Sequence, residues 1–440
     1  MTHSFSVEDW RRFGDRRFRA YHYVALTAGV AGVLTGFEVL IPFALAIGAP
    51  PFVAVLLGVL PLLGGMAQLL MPRLLERTEG NLRGLTILLA TIAEPRGLYF
   101  ALLVLLVASG VVSGPFAVLL LAALIGVTSL LGSVAASNLL SWYSAVLPEE
   151  DRRLVVPRLM ALSLGMGALL LFPIAALLDV LSHAIGLYAY AVPFVIAGVL
   201  GIAETAALRR LKNPGRVLVP AAAASADADV QVNPDLARFL RASAINALGM
   251  GFAPSVSVFI ISILGYSAGF AVSVGAIATL TTVVAAGLFG AHLVRGSSEK
   301  MLRRSFWIRA IAMALPLFAL PGTATAPLLV VASAMLGSIG FSAGSLASNE
   351  RMFRLIKGPA VVRQHARYLA RTSGAMTLGQ LAGAGVVAVG MPFGYPAFAL
   401  LYAVSSALRV AAYRIAETRS AAPVTAHESK TAEAEATAVA

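Results

Sequence analysis

Apolar runs recur through the chain, each closed by a short polar or glycine-rich break. A helix that crosses a bilayer needs roughly 20 consecutive apolar residues at about 1.5 Å rise each. Twelve runs are predicted as such helices, at 24–47, 52–72, 88–112, 115–140, 158–180, 186–208, 238–264, 268–292, 305–321, 327–348, 370–391 and 395–415. The runs are continuous, whereas a spanning strand alternates polar and apolar residues, so a barrel is excluded. The pattern predicts an all-α membrane protein.

The pattern is also written twice. Ala136-Ser137-Asn138 is followed by Pro148 and Arg152, and Ala347-Ser348-Asn349 by Pro359 and Arg363, with every counterpart 211 residues further on. That offset is close to half of the 440 residues, so the copies mark corresponding places in two halves. Two similar halves are the repeat anatomy of secondary transporters. The expected organisation is a segment at 1–20, a six-helix bundle at 21–210, a linker at 211–236, a second six-helix bundle at 237–417 and a tail at 418–440. The stretch Ala221 to Asp229 is alanine-rich and mildly acidic, as a flexible linker is.

Composition sharpens the class. Hydrophobic residues make up 59% of the chain and charged residues 12%, with a mean hydropathy of +0.85. A soluble domain carries about a quarter of its residues charged. Lysine and arginine total 33 and crowd into the two ends, every second loop and the adjoining helix turns, with Arg96 the exception. The alternate loops, such as Gly48 to Pro51 and Gly265 to Gly269, are bare of charge. By the positive-inside rule this predicts an inner-membrane protein with both termini cytoplasmic and an even number of crossings. The net charge of +12 is then a topology signal, and no nucleic-acid partner is expected. The first twenty residues carry five arginines and no apolar core, which predicts no cleavable signal peptide. Phe5, Trp10, Phe13 and Phe18 among those arginines fit either a basic amphipathic anchor on the inner leaflet or a simple topology tail.

Catalytic chemistry is not written here. There is no cysteine, the six histidines are scattered without zinc-ligand spacing, and no phosphate-binding Gly-x-x-x-x-Gly-Lys loop occurs. No enzyme activity, cofactor or metal is predicted, and any energy for transport would come from an ion gradient.

Twelve crossings, cytoplasmic ends, a long central loop and two like halves resemble the major facilitator superfamily over roughly residues 20–417. Local motifs carry the likeness further. Glu76-Arg77-Thr78-Glu79-Gly80 and Arg83 form a degenerate version of the family's loop motif after the second crossing. The Pro-x-x-x-Arg steps at Pro148 and Pro359 look like the inner ends of its fourth and tenth. The Gly-Pro pair of drug/proton antiporters is missing from the fifth, where Gly165, Gly167 and Pro173 stand. The resemblance implies a monomeric transporter of two pseudo-symmetric bundles, with the first, fourth, seventh and tenth crossings lining a central cavity.

Several residues then become candidates. Glu38 lies about 15 residues, roughly 22 Å, into the first crossing. A carboxylate at that depth costs a few kcal/mol, so it faces water or finds a partner. It is a candidate for proton coupling or substrate binding, with a hydrogen-bonded structural acid and an outer-interface residue as alternatives. Asn138, Asn246 and Asn349, with Ser137 and Ser348, are candidate polar groups of the cavity. Ser129, Ser133, Ser137 and Ser141 fall on one helix face, as do Ser338, Ser342, Ser345 and Ser348, a pattern equally suited to close helix packing. Glu76, Arg77, Arg83, Arg152 and Arg363 are candidates for ion pairs that gate the cytoplasmic side. Glu94 and Arg96 flank Pro95 and are assigned a structural role. Arg309, 213 residues after Arg96, argues by repeat for a shallow position of that pair.

The expected function is alternating-access transport of a small organic molecule across the lipid bilayer, with protons as candidate coupling ion and export as the favoured direction. A sensor or assembly partner that has lost transport, and a lipid translocator, share the same sequence features.

Overall fold

The computed structural model describes residues 18–70, 73–74, 77–147, 149–213, 234–252, 256–293, 298–355 and 360–417. The central linker at 214–233 and the tail at 418–440 lie outside these, as do Glu76, Pro148 and Pro359. Regular structure among the described residues is helical throughout.

The first crossing is split into α1 (Arg19–Leu34) and α2 (Phe37–Ala46). Two short helices, α3 (Pro51–Leu57) and α4 (Val59–Met66), run back from it. Then come α5 (Leu82–Ala93) and α6 (Arg96–Ala108), separated by Pro95, followed by α7 (Gly114–Val146), α8 (Glu149–Ile185) and α9 (Ala191–Leu208). Beyond the linker lie α10 (Pro234–Phe252), α11 (Ala268–Leu293), α12 (Ser298–Ala314), α13 (Ala326–Leu355), α14 (Ala360–Gly390) and α15 (Tyr395–Glu417). Asn81 caps α5 by accepting from the Gly84 amide at 2.9 Å. Turns at one end of the molecule are made by Gly48, Gly110, Gly186, Gly322 and Gly394, all with φ between 59° and 89°, a conformation that suits glycine.

Nine segments among the described residues are long and apolar enough to cross a membrane. The sequence pattern predicts twelve, and the difference has physical reasons. Ala161–Leu208 counts as one segment of 48 residues although it folds back at Gly186. Pro51–Met66 is apolar but short. Helix α12 carries Lys300, Arg303, Arg304 and Arg309, which lower its hydropathy.

The apolar core divides by chain position. One cluster joins Phe18, Leu82, Trp142, Val155 and Leu208 at the end of the molecule that bears Phe18, here the near face. Leu236, Phe239, Leu302, Met352 and Ala412 form its counterpart from the second part of the chain. Toward the far face, Phe43, Phe100, Phe194 and their neighbours make one cluster, and Phe259, Phe398 and Tyr402 anchor another. The two parts touch toward the far face. Val272 and Ala276 enter the first far cluster, while Ile41, Ala54 and Val55 enter the second. Asp179 accepts from the Gly269 amide at 2.9 Å and the Ser267 hydroxyl at 3.1 Å, and Gln380 Nε2 donates to the Val55 carbonyl at 3.1 Å.

In lipid no hydrophobic force pushes helices together, so small residues that permit close backbone approach set the packing. Gly201 of α9 lies against the Glu94 carbonyl, with no room for a β-carbon. A β-carbon on Gly385 of α14 would meet open space. Gly201→Ala is therefore expected to cost about 1–3 kcal/mol by forcing backbones apart, while Gly385→Ala is neutral or gains up to about 1 kcal/mol of helix propensity. Thermal unfolding of the two variants in detergent checks this, and equal melting temperatures would contradict it.

Candidate functional site

Helix α1 stops at Leu34 because the chain leaves helical geometry at Gly36, which is extended at φ −77° and ψ 173° before α2 begins. Thr35 sits in the break. Its hydroxyl donates to the Ala31 carbonyl at 2.8 Å and accepts from Arg96 Nε at 2.7 Å. A cation from the third crossing thus reaches the middle of the first.

Around this contact is a cavity of about 310 Å³, walled by α1 and α2, by Pro61 of α4, by Arg96 and Phe100 of α6, and by Ile125 to Ala136 of α7. Arg96 lies between two helices at glycines: Nη2 is 3.7 Å from the position a β-carbon would take on Gly32, and Nη1 is 3.7 Å from that on Gly132. Ser129 and Ser133 add half-buried hydroxyls to the wall. The serine face of the fourth crossing therefore lines a cavity at these positions, and it also packs, since the Ser129 carbonyl stands 2.7 Å from where a side chain on Gly64 would begin.

Behind Arg96 stands a pair of acids. Glu204 of α9 is buried, and it lies within electrostatic reach of Glu94 and Arg96. Arg96 stands level with Thr35. Glu204 did not stand out in the sequence because it lies one turn from the end of an apolar helix. The rule that picks out Glu38, an acid inside a spanning run, applies to it equally.

Glu38 is half-buried in the first turn of α2, where a carboxylate complements the helix N-terminus. Its side chain packs on Gly275 of α11, across the contact between the two parts of the chain. Asn138 is fully buried, and neither end of its amide has a protein partner. It lies nine residues from Ser129, about two and a half turns, and so on the face of α7 turned away from the cavity. Asn349, its counterpart, is exposed, and Ser348 is buried. Arg77 is exposed, and Arg83 donates to the Arg209 carbonyl at 2.7 Å, tying the start of α5 to the end of α9. The side chains of Ser137, Arg152 and Arg363 lie outside the described set.

The second part of the chain treats its cations differently. Arg309 is buried among Gly340, Gly344 and Phe341, donating to the Phe341 carbonyl at 3.1 Å and the Met250 sulfur at 3.5 Å. Asn246 is buried and donates to the same sulfur at 3.7 Å. Arg409 of α15 donates to the Ser405 hydroxyl at 2.8 Å, which donates to the Gly249 carbonyl at 2.6 Å. Ion pairs among the described residues do not include either arginine. No group of three or more His, Asp or Glu residues is placed to hold a metal among the described residues.

No family model matches the chain, and no curated protein sequence does. Solved structures do. A bacterial homologue of the iron transporter ferroportin in an inward-facing state matches with a TM-score of 0.67 at 14% identity, covering 91% of this chain and 98% of that one. The chain has the fold of major facilitator superfamily transporters. A D-xylose-proton symporter matches at TM-score 0.65 and 13% identity, over 88% of this chain and 96% of the other. The nucleoside transporter NupG matches at 0.61 and 12%, over 92% and 100%. An outward-facing ferroportin homologue fits less closely, at TM-score 0.58 and 14% identity over 91% and 98%. With this fold, and with its apolar segments, the chain is a multi-pass membrane protein.

The carboxyl pair behind Arg96 makes a prediction. Glu204→Gln keeps a polar group of the same shape beside Glu94 and should leave stability almost unchanged. Glu204→Ala removes a buried polar neighbour of the half-buried Glu94 and should cost about 1–3 kcal/mol. Melting temperatures in detergent measure both, and equal losses would contradict a stabilising role for the polar group at 204.

Proposed function

We propose that the protein is a secondary transporter that carries a small organic molecule by alternating access. The observation that supports this most is the cavity at the broken first crossing. A half-buried cation, half-buried hydroxyls and a helix break converge there, in a fold that the compared transporters share. Discontinuous helices of this kind build midplane sites because their freed backbone groups meet cargo rather than lipid.

In this proposal twelve crossings form two six-helix bundles, 21–210 and 237–417, and the near face is cytoplasmic, in line with the arginine-rich loops. Contacts between the bundles toward the far face, through Asp179, Gln380 and Glu38, are those of a molecule closed on the outside. The closer match to the inward-facing ferroportin homologue agrees. Arg77, Arg83, Arg152 and Arg363 with Glu76 would close the opposite side.

Glu38 is the proposed proton-coupling group. It bridges α2 and α11, so the separation of the bundles that opens the outside would take it from a packed contact into water. Charging and neutralising a carboxyl there couples a proton to the opening step, and we propose export by proton antiport.

A thermal-shift screen of small metabolites identifies a cargo, since a ligand at 100 times its Kd adds about 2.7 kcal/mol. In liposomes loaded with that cargo, Glu38→Gln should lose pH-gradient-driven transport at least tenfold and retain counterflow exchange. Full gradient-driven transport by this variant would eliminate the coupling role.

A further inference from the structure

We propose that the cargo is an amphipathic monocarboxylate whose carboxylate is anchored by Arg96 and whose apolar body lies against Phe37, Leu40, Phe100 and Ile125. The proposal rests on the transport reading above and names the substrate class of the same cavity.

The charge inventory comes first. Arg96 is the charged residue of the cavity wall, and no aspartate or glutamate lines it. A cationic cargo would find no carboxylate among the lining residues. A dianion such as a phosphate monoester would bring two charges to one guanidinium in a setting where unpaired charge is costly. A single carboxylate matches the one guanidinium of the wall.

The geometry is equally selective. Of the guanidinium donors, Nε is committed to Thr35, and no protein acceptor or ion-pair partner takes Nη1 or Nη2 among the described residues. Those two nitrogens lie beside Gly32 and Gly132, both part of the cavity wall. A planar fork held at its Nε end and open at its Nη edge fits a carboxylate with two parallel hydrogen bonds. The acids behind it leave this edge open: Glu204 acts on Arg96 through charge, and no ion pair joins them among the described residues. Remaining carboxylate lone pairs can accept from Ser129 and Ser133, whose hydroxyls have no protein partner, whereas the Thr128 hydroxyl is already given to the Leu124 carbonyl at 2.6 Å.

The rest of the wall is apolar. Phe37 and Leu40 come from α2, Phe100 from α6 and Ile125 from α7, and Pro61 closes one side. The space, about 310 Å³, is at the small end of ligand sites, so the cargo is compact. Burial of an apolar body supplies affinity, and the single polar anchor supplies orientation.

The test uses the full-length protein in detergent with 3-phenylpropanoate and benzoate as probes, each beside its neutral amide, and with phenyl phosphate. The acids should raise the melting temperature saturably, with the amides at least tenfold weaker and phenyl phosphate weaker than benzoate. Arg96→Gln should reduce the acids to the level of the amides, and Ala136→Phe, which fills the cavity, should abolish both responses. Equal responses to acid and amide, no response to either acid, or a stronger response to phenyl phosphate would overturn the proposal, with no variant needed. Flux of radiolabelled 3-phenylpropanoate and its amide into liposomes separates the two claims. Selective binding without flux keeps the recognition and rejects transport, whereas equal flux of acid and amide keeps transport and rejects the recognition.

Discussion

The bond from Arg96 to Thr35, at the place where the first crossing stops being a helix, is the contact on which the rest of the site depends. An arginine cannot shed its charge, and its transfer toward the middle of a bilayer costs at least a few kcal/mol. Three features offset that cost. The break at Thr35–Gly36 presents a hydroxyl to Nε. Glycines at 32 and 132 leave room for the guanidinium between α1 and α7. The Glu94–Glu204 pair lies on its other side. What remains of the cation's hydrogen-bonding capacity faces a cavity, and that is why a cavity there is polar at one end and apolar along its walls.

The two parts of the chain start from the same plan and put it to different ends. Arg96 and Arg309 are 213 residues apart, and each reaches from its helix toward the opening helix of its own part, to Thr35 in one case and Met250 in the other. Arg96 meets open space. Arg309 is packed under Phe341 and against Gly340 and Gly344, with its hydrogen bonds spent on a carbonyl and a sulfur. The first part therefore leaves its cation at a cavity, and the second packs its cation into the helix contacts. Such division suits alternating access, where one packed body rocks against another and the contacts at one face are exchanged for contacts at the opposite face.

Much of the fold was legible because apolar runs and charge-bearing loops are local signals, and the Ala-Ser-Asn repeat announced the two-part plan. Helix rotation and depth were not, because neither is written in any single run. Asn138 and Asn349 occupy matching places in the repeat, yet one is fully buried away from the cavity and the other is exposed. Ser129 and Ser133, noted only as members of a hydroxyl face, line the cavity, while Arg96, assigned a structural role, turns out to be its charged group. Arg96 and Arg309 are paired by the repeat spacing, yet Arg96 meets Thr35 in the break of the first crossing while Arg309 is spent on Met250 and Phe341. The break at Gly36 had a visible cause, a Thr-Gly step before an acid, inside a run apolar enough to read as one helix. Buried Arg409 and Glu204 were masked by the apolar residues around them.

The central claim is that water reaches the wall of α7 beside Arg96 at a depth where lipid surrounds the outside of the same helix. Because the chain has no cysteine, a single introduced thiol reports this without background. A charged, membrane-impermeant maleimide requires a hydrated thiolate to react. In vesicles exposing the near face, Ser133→Cys should label readily, whereas Val127→Cys, 55% exposed at native Val127 and turned outward from the same helix, should stay inert. If the Ser133→Cys protein is as unreactive as the Val127→Cys protein in vesicles of either orientation, no aqueous path reaches Arg96 and the account is wrong.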